Sequence, residues 1–315
     1  MPRKRPRAPR RQPTSETAAL ARRGRRTARK AGHEVERNAL KAARVIKRNA
    51  DNPWLERAAR LGYLVRGLLY GAMGAFGVGF AFGIYHKTTD QRGTLYLLRS
   101  APALEVTAVG FVIVGLAGYT IWGFVRAIYD PLRRGDEPQG VAARLGFAWS
   151  GLSYLGMLVF TIQLLLGLSK GDGSDSVEKS VRFLLSHRFG TIFTGVVGVI
   201  AILVGLGQFA DAYRGSWIKD MQLRKMSEQE EAIAGGLGRF GFVARGVIFG
   251  LLGWFVLLAA INHDAARAHG IGATFQYLAE QPFGHLLLFV VSLGFIALGL
   301  HSFACARWIR MTVPD

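Results

Sequence analysis

The sequence predicts an all-α polytopic membrane protein, with six transmembrane helices as three parallel two-helix repeats behind a basic N-terminal tail. Three observations carry this. Half of the 315 residues are hydrophobic, and they collect in six long blocks almost free of charge. Glycine reaches 40 residues, about twice its usual share, which suits helices that approach closely in lipid. One short pattern opens every second block.

The blocks run near 61–84, 106–125, 145–168, 189–210, 240–261 and 283–306. Crossing a ~30 Å hydrocarbon core takes about 20 apolar residues. One such block could be a buried helix of a soluble protein, but six leave the membrane as the solvent. Within them the only formal charges are Arg66 and Arg245. Cys305 is the single cysteine, so no intramolecular disulfide forms, and it reads as a small packing residue.

The tail, residues 1–52, comes first. Its first 50 residues hold 17 Lys/Arg against three Glu, a net +14 of the chain's +19. Residues 1–14 are rich in Arg and Pro and are expected to be disordered. Residues 16–48 are compatible with a helix carrying Val35, Ala39, Ala42 and Ile46 on one weakly apolar face. The arginine pairs at 22–23 and 25–26 are not an export signal, because no apolar stretch follows before Leu61. Asn52-Pro53-Trp54 reads as a helix start. So basic a segment is expected to stay in the cytoplasm, and six spans return the C-terminus to the same side. Loop charge alone is nearly balanced, with nine Lys/Arg in the two inner loops and eight in the three outer ones. Beside the membrane the tail is expected to attract anionic headgroups, at about 1 kcal/mol per basic residue near the surface. A protein partner is the alternative occupant. Nucleic acid uses the same electrostatics, but no recognition motif selects it.

The repeats follow, over 53–135, 136–225 and 226–315. The odd-numbered spans open Arg60-Leu-Gly-Tyr-Leu-Val-Arg-Gly67, Arg144-Leu-Gly-Phe-Ala-Trp-Ser-Gly151 and Arg239-Phe-Gly-Phe-Val-Ala-Arg-Gly246. The recurring packing residues are thus Arg60, Gly62 and Gly67, then Arg144, Gly146 and Gly151, then Arg239, Gly241 and Gly246. The even spans close on Phe124, Phe209 and Phe303, each followed three residues later by an alanine: Ala127, Ala212 and Ala306. Phe189-Gly190 and Phe283-Gly284 also correspond, with no counterpart in the first copy. The opening arginine is expected at the inner interface, its stem buried and its head wet. Tyr63, Gly67 and Tyr70 share a helical face, as do Phe147, Gly151 and Tyr154, and Phe242, Gly246 and Phe249. A glycine between two aromatics makes a notch for a neighbouring helix. Gly67, Gly71, Ala75, Gly79 and Gly83 form a longer small-residue ridge in the first span.

The thrice-repeated Arg-x-Gly-aromatic-x-x-Arg-Gly opening resembles the bacterial integral membrane proteins called the domain of unknown function 1206 family, over about residues 55–310. Copy two departs from the pattern, with Ser150 in place of the second Arg. The resemblance implies a bacterial cytoplasmic membrane and this architecture, and no activity.

Catalytic and cofactor signatures are missing. There is no phosphate-binding Gly loop, no His-Glu-x-x-His zinc motif and no serine elbow. A non-enzymatic protein working by interaction, as a scaffold or a component of an envelope complex, is therefore the leading expectation. A homo-oligomer or a protein partner both fit it. The alternative is a small channel or transporter, with Arg66 and Arg245 lining an anion path or meeting a lipid phosphate. Both lie about 9 Å inside their helices from the opening arginine, near enough to the inner surface to snorkel instead. His86, His187, His263, His269 and His285 fall at or near the outer face. Asn262-His263-Asp264 with His269 could ligate a metal, although the spacing fits no standard site.

Overall fold

The structure, a computed structural model, describes residues 53–85, 90–99, 105–130, 135–168 and 176–309. The chain separates into two units, Met1–Ala50 and Asp51–Asp315, and the described residues belong to the second. The basic tail, with the helix expected over 16–48, lies outside them, as does His86.

Nine α-helices occur among the described residues. They are α1 (Pro53–Ala81), α2 (Gln91–Arg99), α3 (Glu105–Tyr129), α4 (Pro138–Leu165), α5 (Ser176–Leu185), α6 (Gly190–Arg214), α7 (Glu228–Ile261), α8 (Ile271–Ala279) and α9 (Gly284–Trp308). Six of them (α1, α3, α4, α6, α7 and α9) are long and apolar enough to cross a membrane. They outrun the uncharged blocks because interfacial turns carry charge. α7, for example, starts at a capping box ahead of its apolar run. Ser227 Oγ accepts from the Glu230 amide at 3.2 Å, and Glu230 Oε2 accepts from the Ser227 amide at 2.9 Å. Gly83 and Gly167 stop α1 and α4 at equivalent places, in the left-handed conformation that glycine allows.

The expected outer loop after each odd span is not bare. Each holds a short helix, α2, α5 or α8, so every copy is long–short–long. This explains the Phe-Gly pairs. A Cβ on Gly190 would run into the Leu184 carbonyl at the end of α5, and one on Gly284 into the Ala279 carbonyl at the end of α8. Only glycine lets the short helix turn directly into the next span.

The spans pack in the order α4–α3–α1–α9–α7–α6. Two kinds of interface build this arc. The first joins the even span of one copy to the odd span of the next, cyclically. Gly67 of α1 lies under Phe303 of α9, where a Cβ would also sit 2.9 Å from the Gly299 carbonyl. Gly151 of α4 lies against the α3 backbone, an added Cβ falling 3.3 Å from the Thr120 carbonyl and 3.4 Å from the Phe124 amide nitrogen. Gly246 of α7 faces Phe209 and the Gly205 carbonyl of α6, each 3.1 Å from an added Cβ. Each closing phenylalanine thus meets the glycine notch of the following copy.

The opening arginines bind the same partners two turns away. Arg60 donates to the carbonyls of Ala306 and Arg307, and Arg144 to those of Ala127 at 2.9 Å and Ile128 at 3.3 Å. With their side chains about a quarter exposed, these two guanidiniums also satisfy orphan carbonyls at the C-terminus of the neighbouring span. Arg239 is exposed.

The second interface joins the two spans of one copy. In copy one, Gly62 and Val65 of α1 meet Tyr119 and Gly115 of α3. In copy three, Gly241 and Ala244 of α7 meet Leu298 and Gly294 of α9. Copy two makes no comparable contact between α4 and α6, which end the arc. Only 22% of α4's spanning window and 17% of α6's are buried, against 39 to 56% in the other four.

The small-residue ridge of α1 is used only in part. A Cβ on Gly71 would meet nothing, and Ala75 is exposed. Steps of four residues advance about 40° each around a helix of 3.6 residues per turn, so the ridge curls away from α9. Contact with α9 passes through Gly67, through the Gly71 backbone, whose nitrogen would lie 2.9 Å from a Cβ on Gly299, and through Gly74. Gly67→Ala is therefore expected to destabilise the purified protein by about 1–3 kcal/mol through overpacking. Gly71→Ala should leave its thermal midpoint unchanged or slightly raised, because alanine is the better helix former.

Candidate functional site

On α1, Tyr63, Arg66 and Tyr70 stand three and four residues apart and share the inner face of the arc. Arg66 donates to the Tyr119 hydroxyl of α3, and its guanidinium carbon lies 5.3 Å from the Tyr70 ring centre and 5.4 Å from that of Tyr119. Arg245 of α7 reaches the same Tyr70 ring at 5.9 Å and Phe249 at 5.1 Å. Both arginines singled out from sequence thus turn inward onto one tyrosine, and both are half-buried.

A third guanidinium joins them. Arg126 of α3 is 6% exposed. It donates to the Tyr63 hydroxyl at 3.2 Å and covers Phe147 of α4 at 4.4 Å, Tyr119 at 5.6 Å and Trp122 at 5.8 Å. Tyr119 packs edge-on to Tyr63 at 5.1 Å and against Tyr154 of α4 at 4.4 Å. The whole set forms a chain of cations and rings: Arg126, Tyr119, Arg66, Tyr70, Arg245.

The sequence reading missed Arg126 because the uncharged block ends at Val125, which put the arginine in a loop. The repeat held the signal. Arg126, Asp211 and Cys305 occupy the same place between the closing phenylalanine and its alanine. Copy two also lacks the second arginine, at Ser150, and Arg126 lays its guanidinium on Phe147 of that copy. The cation missing from α4 is supplied by α3.

Electrostatics define what this cluster can do. Arg66, Arg126 and Arg245 make no ion pair with Asp or Glu among the described residues. Pairs such as Arg60–Glu56, Arg144–Asp136 and Arg267–Asp264 lie towards the ends of helices or in loops. The Nε atoms of all three arginines, and the Tyr154 hydroxyl, are buried without a hydrogen-bond partner. Taking a guanidinium out of water costs several kcal/mol, and an aromatic face returns about 2 kcal/mol without neutralising it. Three positive charges, linked through shared tyrosine rings within the spans, are therefore left without a carboxylate among the described residues.

The histidines expected at the outer face are dispersed. His263 meets Thr191 at 3.1 Å, His285 meets the Ala81 carbonyl at 3.1 Å, and His269 stacks on Phe255 at 4.5 Å. Asp264 accepts from the Ala266 amide and pairs with Arg267. Among the described residues no three His, Cys, Asp or Glu side chains gather as a metal site. Deeper in the bundle, His301 contacts the Ala234 carbonyl at 3.3 Å and the Cys305 sulfur at 3.4 Å, beside Trp217.

Six apolar spanning helices in three repeats around such a cluster define a multi-pass α-helical membrane protein. The chain belongs to the family described as Domain of Unknown Function (DUF1206), which it matches three times, over residues 61–130, 145–215 and 240–308. It is 30% identical over 260 residues to the uncharacterized protein YxxB of Bacillus subtilis (strain 168), covering 82% of this chain and 93% of that one. No solved structure matches it.

Proposed function

We propose that this protein is a non-enzymatic component of a bacterial cytoplasmic membrane that binds an oxyanion, of phosphate type, at Arg66, Arg126 and Arg245. One observation carries the reading: three converging guanidiniums, one of them almost fully buried, without a carboxylate among the described residues. Buried charge is kept where it has a partner, and guanidinium is matched to oxyanions by its planar fork of donors. The basic tail adds to this reading. It holds the N-terminus in the cytoplasm and draws anionic headgroups to that face. The interaction role expected from the sequence remains compatible, with the bound anion as one of the partners.

Thermal unfolding of the delipidated protein in detergent tests the site. Inorganic phosphate at about a hundredfold excess over its dissociation constant adds ~2.7 kcal/mol. The midpoint should rise by several degrees in wild type and stay put in Arg126→Gln. A wild-type midpoint indifferent to phosphate and to every anionic lipid tried would sink the reading. Anion-selective current across a planar bilayer, lost in Arg66→Ala, would show that the bound ion also passes through.

A further inference from the structure

The arc is open on one side, and repetition shows why. Val65 and Leu69 of copy one and Ala244 and Ile248 of copy three are buried, at most 4% exposed, against the even span of their own copy. Their equivalents in copy two are Trp149, 64% exposed, and Ser153, also exposed. On the even spans the facing residues are Gly115 and Gly118 in copy one and Gly294 and Ala297 in copy three, all buried. Copy two has Ile200 and Leu203 there, 53% and 59% exposed. Val65 fits against Gly115, and Ala244 against Gly294. Trp149 against Ile200 is two large side chains where the other copies have at most one. Copy two keeps Gly146 where the other copies have Gly62 and Gly241, with nothing within 4 Å of an added Cβ, but its facing span has lost the small residues that permit close approach.

This seam adjoins the cationic cluster. Its edge helix α4 supplies Phe147, which Arg126 covers, and Tyr154, which packs on Tyr119 and has an unpartnered hydroxyl. The two edges of the seam are apolar, whereas the place they lead to carries three positive charges. That combination matches a molecule with an anionic head and an apolar tail.

We propose that the seam between α4 and α6 is the lateral entry for one anionic phospholipid, whose phosphate sits at Arg66, Arg126 and Arg245 while its acyl chains lie along Trp149, Ile200 and Leu203. This rests on the oxyanion reading above and names its source: a lipid from the surrounding leaflet rather than free phosphate. A lipid needs no aqueous route. It explains why both edges are bulky and apolar while the interior holds unpaired cations.

The test uses the full delipidated chain with phosphatidylglycerol carrying a photoactivatable acyl chain, phosphatidylcholine with the same chain as control, and inorganic phosphate as the third arm. Phosphatidylcholine should label each span in proportion to its exposure, phosphatidylglycerol should label α4 and α6 well above that pattern, and Arg126→Gln should weaken this selective labelling about tenfold, or ~1.4 kcal/mol. A second variant rebuilds the copy-three interface in copy two, with Trp149→Ala, Ser153→Ile, Ile200→Gly and Leu203→Ala. Closing the seam should abolish selective labelling while thermal stabilisation by phosphate survives. If that variant does not fold, the wild-type labelling pattern decides alone. Stabilisation by phosphate with the same labelling pattern for both lipids would overturn the lipid route and leave the oxyanion site standing. Response to neither ligand would remove both. Crosslinking of Trp149→Cys between two chains in a Cys305→Ser background would also overturn the proposal, because a second copy would then cover the seam.

Discussion

The contact between the closing phenylalanine of one copy and the glycine notch of the next holds this structure together. It occurs three times, through the ring for Phe209 with Gly246 and Phe303 with Gly67, and through the backbone for Phe124 with Gly151. In lipid there is no hydrophobic drive for helices to associate, so close packing and satisfied polar groups must supply it. The notch provides the packing. The opening arginine, two turns earlier, supplies the polar term in two of the three cases by taking up the carbonyls that end the facing helix. The third interface closes the last copy onto the first and turns a tandem array into an arc with an inner face.

That inner face is where charge collects. The interfaces occupy two flanks of α1 and α7, and the residues between them point inward. Arg66 and Arg245 hold this position in copies one and three. Serine holds it in copy two, where Arg126 takes over from the neighbouring span. Among the described residues aromatic rings rather than acids carry the cations, leaving the positive charge unspent. A structural ion pair would have cancelled it. The absence of comparable packing between α4 and α6 gives the same inner face a side open to the membrane.

Much of this was legible beforehand. The six spans, their pairing into three copies and the notch residues follow from block length and an eight-residue pattern, because a lipid core demands long uncharged helices and repeats must present equivalent surfaces. Arg66 and Arg245 stood out for the same reason. The short helices α2, α5 and α8 were not legible, since each is only nine or ten residues of mixed polarity. Arg126 was hidden by its place one residue beyond an apolar block, although the alignment of Arg126, Asp211 and Cys305 shows that its position belongs to the repeat.

By itself the sequence determined the solvent this protein lives in, the number of its spans and the residues at which they touch, because those depend on local composition and on periodicity. Only the tertiary structure decided which copy each notch receives, that three arginines from three different spans converge, and that one of six helix pairs stays apart. These depend on which surfaces meet across the bundle. The substitutions that decide it, Trp149 for Val65 or Ala244 and Ile200 for Gly115 or Gly294, acquire meaning only once their partners are known.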